Sequence, residues 1–365
     1  QIGMLPLIIY FQYEAPAFSF LANVAAVPLA TCAFTLAFLL IFLPYTVFHE
    51  AISWMIQGVL WISRQSYGML TIGHVPFLWV LLFYFMTGLW IWKKNGQNRH
   101  IRISLAYVIM IILIWIPMAR RKSLAFLDVG QGDCFVADTK SGAIIFDGGS
   151  SSEDQVGRYR ILPYMKYLGY QKIQIAVISH MDIDHYSGIK ELLEMGKIKY
   201  LGLPEIPKDE TMKKIIGIAK KRGTTIFYLS RGRQITTKDG SLKVLHPQKN
   251  SQMEKNAVSL VMQGKILGYR VLLTGDVEKE GEEELLSEEL ERADILKAAH
   301  HGSKNSTSNE FLQKVQPKQT VISCGKQNRY GHPHLETIHR LQTYRTKIYR
   351  TDRSGAIIFF KRRDG

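Results

Sequence analysis

The chain has 365 residues and a formal net charge of +15, length enough for two domains of ordinary size. The charge is unevenly divided. Residues 1–119 hold five basic side chains (Arg64, Lys93, Lys94, Arg99, Arg102) and two acidic ones (Glu14, Glu50), a net +3, and residues 120–365 carry the other +12. A nearly uncharged first third excludes an ordinary soluble domain there and suits a bilayer, while the basic remainder suits a polyanionic partner or is solvated surface lysine.

The predicted elements begin with apolar runs. Residues 18–43 lack any charge and are long enough to span a membrane, with Pro28 as a kink that neighbouring helices tolerate. Residues 47–64 read as an amphipathic helix with His49, Glu50, Ser53, Gln57 and Arg64 on one face, either lying in the interface or lining a polar path. Residues 75–92 form a second span rich in aromatics, and residues 103–118 a third, shorter one bracketed by Arg99, Arg102, Arg120, Arg121 and Lys122. The basic loop 93–102 is expected in the cytoplasm, which carries the remainder of the chain to the outer face. The chain opens on Gln1 within an apolar stretch, so a fragment of a longer protein is expected. Three cysteines do not make a disulfide framework; Cys32, Cys134 and Cys324 are expected to be buried thiols.

From Ser123 the pattern changes to short apolar strands punctuated by glycine: 124–129, 135–138, 143–146, 172–179, 225–229, 242–245, 259–263, 270–274 and 295–299, with helices near 187–195 and 279–290. Alternation of this kind suggests sheet layers covered by helices, an α+β arrangement. The densest chemistry lies at Ser179-His180-Met181-Asp182-Ile183-Asp184-His185, where metal-capable side chains follow a strand end; a charged turn capping a helix is the plainer alternative. Leu272-Leu273-Thr274-Gly275-Asp276 delivers a carboxylate from another strand end. Ala299-His300-His301-Gly302-Ser303 and Tyr330-Gly331-His332-Pro333-His334 add imidazoles. Lys297, Lys304, Lys326 and Arg329 are candidate contacts to a phosphate backbone.

These residues, in this order, resemble the metallo-β-lactamase superfamily. The runs Phe126-Leu127-Asp128-Val129-Gly130-Gln131-Gly132-Asp133 and Asp147-Gly148-Gly149, with the histidine loops, are similar to the ComEC branch, in which the hydrolase domain follows a multi-span competence domain. The resemblance implies an αββα sandwich over residues 120–365, preceded over 1–119 by an all-α polytopic membrane segment. It implies DNA uptake, with one strand transported and the other degraded, in a multi-pass protein of the cell membrane working with other competence proteins. It also implies two divalent metal ions, held by His180, Asp182 and Asp276 on one side and by Asp184, His185, Asp276 and His332 on the other. His301, with His300, would face the phosphate, and Asp184 would share in catalysis. Asp147, Asp133, Ser303 and His334 would support the site or touch substrate, and Asn256 would be a weak ligand.

Two departures bear on the metal. Asp182 stands where the superfamily carries a histidine, and Asn256 where another is expected; oxygen-rich ligation favours Mn²⁺, with Zn²⁺ as the alternative. A phosphodiesterase of small or cell-wall substrates, or an inactive DNA-docking module, are the competing expectations.

Overall fold

The computed structural model describes residues 2–16, 19–42, 46–64, 68–92, 101, 104–105, 108, 121–251 and 256–362. It divides into two compact units, Gln1–Met118 and Ala119–Gly365.

In the first unit, α1 (Leu5–Gln12), α2 (Ser19–Leu39), α3 (Thr46–Arg64) and α4 (Phe77–Trp92) are joined by a small ribbon of β1 (Glu14–Pro16) and β2 (Met69–Thr71). Among the described residues one helix passes the length and hydropathy required to cross a bilayer, over Ala22–Leu39 of α2, with Pro28 inside it. The apolar stretch of α4, Phe77–Leu89, is shorter. The basic loop 93–102 and the span expected at 103–118 lie almost wholly outside the described residues. One expectation is corrected: Cys32 sits on the exposed side of α2 rather than buried, whereas Cys134 and Cys324 are buried.

In the second unit every central strand is covered on both faces, and such strands read as continuous apolar runs rather than as alternations. One sheet has the order β16-β3-β4-β5-β6-β7-β8. Its strands are β3 (Ser123–Phe126), β4 (Phe135–Thr139), β5 (Gly142–Phe146), β6 (Ile173–Val177), β7 (Ile198–Pro204), β8 (Thr225–Leu229) and β16 (Ile357–Phe360). The other has the order β15-β14-β13-β12-β11-β10-β9. Its strands are β9 (Gln234–Thr237), β10 (Gly240–His246), β11 (Val261–Ile266), β12 (Tyr269–Leu273), β13 (Ile295–Lys297), β14 (Gln319–Ile322) and β15 (Lys347–Arg350).

Leu124, Phe126, Ile144 and Phe146 of the first sheet meet Val244, Met262, Val271 and Leu273 of the second in one core between them. The opposite side of the first sheet, with Ile145 and Val136, is covered by α5 (Leu162–Tyr167), α6 (Ile183–Glu194) and α7 (Glu210–Lys221). The opposite side of the second, with Leu272, Leu296 and Ile322, is covered by α8 (Lys279–Leu286), α9 (Asn309–Val315) and α10 (Leu335–Thr343). The layers are therefore helix, sheet, sheet, helix.

The topology sets the site. β5 and β6 are parallel, so Asp147 and His180 leave the first sheet at the same edge. β12, β13 and β14 are also parallel, so the loops carrying Asp276, His300, His301 and His332 leave the second sheet together. The two edges are tied where Leu260 N–H donates to the Ser179 carbonyl at 3.0 Å. The helix expected near 187–195 begins earlier, at Ile183, which puts Asp182 at its N-cap and His185 in its first turn. The acidic helix ends at Leu286, short of residue 290.

Candidate metal centre

Asp147, His180, Asp276, His300 and His301 stand within a few residues past the ends of β5, β6, β12 and β13. The Asp128–Asp133 turn and the Asp147-Gly148-Gly149 turn lie directly over the histidine loop: Asp133 N–H donates to the Asp184 carbonyl at 3.0 Å, and Gly148 N–H to the His185 carbonyl at 2.9 Å. Glycine is needed at two of these positions, because a Cβ at Gly132 would strike the Gly149 and Asp184 carbonyl oxygens, and one at Gly149 would strike the His185 amide. Asp147, His300 and His301, by contrast, are held at φ values of 57°, 47° and 52°. That left-handed conformation is costly for residues with side chains and clusters at functional sites.

Four side chains converge. Asp133, His185, Asp276 and His301 are all buried, and one ligand-capable atom from each lies within 4.8 Å of the others. His185 Nδ1 is 2.9 Å from Asp147 Oδ2, whose other oxygen accepts the Ser179 N–H at 2.7 Å. His301 Nδ1 donates to the Ser323 carbonyl at 2.9 Å. Both rings therefore have their Nδ1 engaged and direct Nε2 at carboxylates: His185 Nε2 lies 3.1 Å from Asp276 Oδ2, and His301 Nε2 lies 3.4 Å from both Asp276 Oδ2 and Asp184 Oδ2. His180 Nε2 lies 3.3 Å from Asp182 Oδ2, with its Nδ1 against Ser179 Oγ at 3.1 Å. Nε2 of His180, His185 and His301 is buried without a hydrogen-bond partner. A neutral imidazole in this tautomer points a lone pair at a carboxylate lone pair, so a proton or a cation must stand between them. The donor set fits a divalent ion.

The electrostatics agree. Burial works against charge at His185 and His301, but Asp276 with Asp147 and Asp133 outweighs it, and both imidazoles stand well above the ordinary histidine value. Asp276 is buried and Asp184 half-buried, yet those imidazoles hold both carboxylates below their usual range. Asp133, against burial, is lowered to about 2, chiefly by Lys297.

Lys297 corrects one expectation. It does not reach out to a phosphate backbone: its side chain is 5 % exposed, pairs with Asp133, and sits 3.0 Å from the Gly275 carbonyl and 3.5 Å from Asp276 Oδ1. The signal was legible as one lysine in the apolar run Ile295-Leu296-Lys297-Ala298-Ala299. Glu278, given no role from sequence, holds His300 Nδ1 at 2.7 Å.

The remaining candidates are distributed around this group. His332 lines the adjoining cleft with Asp182, Asp184, Asp276, His300 and His301, its ring 6.1 Å from that of His301. Burial and the neighbouring imidazoles push it down to about 4. Ser303 is buried, its hydroxyl accepting the Asn305 N–H at 3.3 Å, and His334 Nδ1 accepts the Lys304 N–H at 3.3 Å. Both serve the loop rather than line the cleft. Asn256 lines a separate cavity with Glu278, Glu282 and Lys304.

Sandwich, strand-end loops and imidazole–carboxylate cluster define the class. The metallo-β-lactamase superfamily model matches residues 127–326, and the chain belongs to that superfamily. Its curated relatives place it in the ComEC family of competence proteins. ComE operon protein 3 of Bacillus subtilis (strain 168) is 31% identical over 100% of this chain and 51% of that protein. Competence protein ComA of Neisseria gonorrhoeae is 30% identical over 65% of this chain and 32% of its own length. Recombination protein 2 of Haemophilus influenzae is 28% identical over 72% of this chain and 32% of its own length. The chain thus spans about half the length, or less, of these relatives.

Asp147 touches both the strand end and His185, which yields a direct expectation. Asp147→Asn should weaken divalent-metal affinity about 10- to 100-fold by disturbing the ring it orients, measured by competition with a chelating dye. An unchanged affinity would reduce Asp147 to a turn residue.

Proposed function

We propose that the second unit is a metal-dependent phosphodiesterase acting on DNA, and that the chain works in DNA uptake at the cell membrane, degrading the strand that is not transported. The reading is carried by one observation: the Nε2 atoms of His185 and His301 converge on Asp276 with both Nδ1 atoms already engaged. His180, Asp182 and Asp276 would hold one divalent ion, and Asp184, His185, Asp276 and His301 a second, His301 taking the place the resemblance gave to His332. Such ions supply positive charge to a phosphoryl oxygen and acidify a water.

The chain's own residues do the rest. Asp147 and the Ser323 carbonyl fix the two imidazoles so that their lone pairs face inward. Lys297 neutralises Asp133, which leaves Asp276 as the carboxylate shared between ligands. His300, aimed by Glu278, and His332 face the cleft and are placed to meet the phosphate oxygens. The apolar segments 18–43, 75–92 and 103–118 are proposed as membrane spans, with the catalytic unit on the outer face and other competence proteins as partners. Lys326 and Arg329, both exposed in the segment that leads to the cleft-lining Tyr330 and His332, are proposed contacts to the backbone of DNA.

A nuclease assay of the chain in detergent tests this reading. Mn²⁺ should support cleavage, Zn²⁺ should support less because the ligands are rich in carboxylate oxygen, and EDTA should abolish it. Equal turnover with zinc at matched occupancy would count against the metal assignment, and cleavage that persists in EDTA against the reading as a whole.

A further inference from the structure

Resting on that phosphodiesterase reading, we propose that Ile183 and Tyr330 grip an unstacked nucleobase beside the phosphate, so that the cleft selects single-stranded or frayed DNA over paired DNA. Few large apolar side chains of the catalytic unit are exposed among the described residues: Tyr159, Ile183, Tyr330, Leu335, Ile358 and Phe360. Two of them, Ile183 and Tyr330, line the cleft whose floor is Asp184, Asp276, His300 and His301. Ile183 is 54% exposed although it stands between two carboxylates in the first turn of a helix, where packing asks nothing apolar of it.

Tyr330 is 43% exposed and nevertheless held in place. Its ring lies nearly parallel to that of His332, at 21° with centroids 5.7 Å apart. The Arg329 guanidinium sits 4.8 Å from the ring centre and donates to the phenolic oxygen at 2.6 Å. A preset aromatic loses little conformational freedom when a base stacks against it. Stacking accepts every base, because each has a π-face, and a guanidinium beside the ring adds a cation–π component. The cleft volume of about 300 Å³ suits a nucleotide and not a duplex. In a duplex both faces of the base are covered by its neighbours, so entry requires unstacking.

The test uses the full chain in detergent with Mn²⁺ and takes two readouts on wild type, Tyr330→Ala, Tyr330→Phe and Ile183→Asn. The first is quenching of 2-aminopurine emission when a single strand carrying that base binds. The second is kcat/KM for strands that are intact or abasic next to the cut. Wild type should quench, and should prefer the intact strand about tenfold. Tyr330→Ala and Ile183→Asn should lose both the quenching and the preference, and Tyr330→Phe should keep both. Quenching with that variant pattern but no cleavage would uphold the base grip and sink only the nuclease reading. Cleavage without quenching or abasic discrimination, or a preference untouched in Tyr330→Ala, would overturn the base grip and leave the nuclease reading standing. Neither quenching nor cleavage would overturn both.

Discussion

Lys297→Met is expected to destabilise the folded chain by about 3–5 kcal/mol, the cost of leaving buried carboxylates without their cation. The lysine is enclosed at the end of β13, and its ammonium pairs with Asp133 and approaches Asp276 at 3.5 Å. Burial alone would lower its pKa, but Asp133 and Asp276 raise it, so it stays charged. Methionine fills a similar volume and carries no charge, which makes the loss electrostatic rather than a cavity effect. Two companion measurements separate causes. The double variant Lys297→Met/Asp133→Asn should recover most of the loss, because it removes the anion together with its partner. Saturating Mn²⁺ should narrow the gap, since the variant's uncompensated carboxylates bind the cation more tightly than those of wild type and so gain more from it. Thermal unfolding in detergent reads all three. A loss under about 1 kcal/mol for the single variant would mean that Asp133 is not committed to Lys297.

Asp276→Ala should lower phosphodiester cleavage on the order of 10³-fold or more, beyond the 10- to 100-fold typical of losing a partner outside the ligand set. Among the described residues, Asp276 is the one carboxylate that approaches His185, His301, His300 and Lys297 together. Its removal leaves two inward lone pairs with no anion between them, and bound metal should fall with activity. Asp184→Ala combined with it should add little, because both residues act through the same ions. Cleavage within about tenfold of wild type would remove Asp276 from the centre.

How much of this was legible beforehand depends on the range of the interaction involved. The strands 124–129 to 143–146 were readable because burial on both faces makes them apolar throughout, and His180 to His185 because that density of ligands in one loop has few other uses. β16 was not readable: its pattern Ile357–Phe360 acquires meaning only by pairing with β3 across most of the unit, Ile357 opposite Phe126. The resemblance put His332 among the ligands and His301 at the phosphate. β13 lies directly beside β12 and brings His301 to Asp276, while β14 is one strand further out and delivers His332 to the wall of the cleft. Lys297 was read as a candidate phosphate contact because lysines usually reach the surface; a partner carboxylate contributed by the far sheet, Asp133, is invisible to any local window. Asn256, ahead of β11 in the chain, lines a neighbouring cavity.

Anomalous diffraction at the manganese edge, from crystals of the chain grown with Mn²⁺, addresses the centre most directly. The expected result is a peak bonded to Asp276, His185 and His301, beside a Lys297 that still pairs with Asp133. No peak at those three residues under saturating Mn²⁺, or one held by the glutamates of the neighbouring cavity, would contradict the assignment.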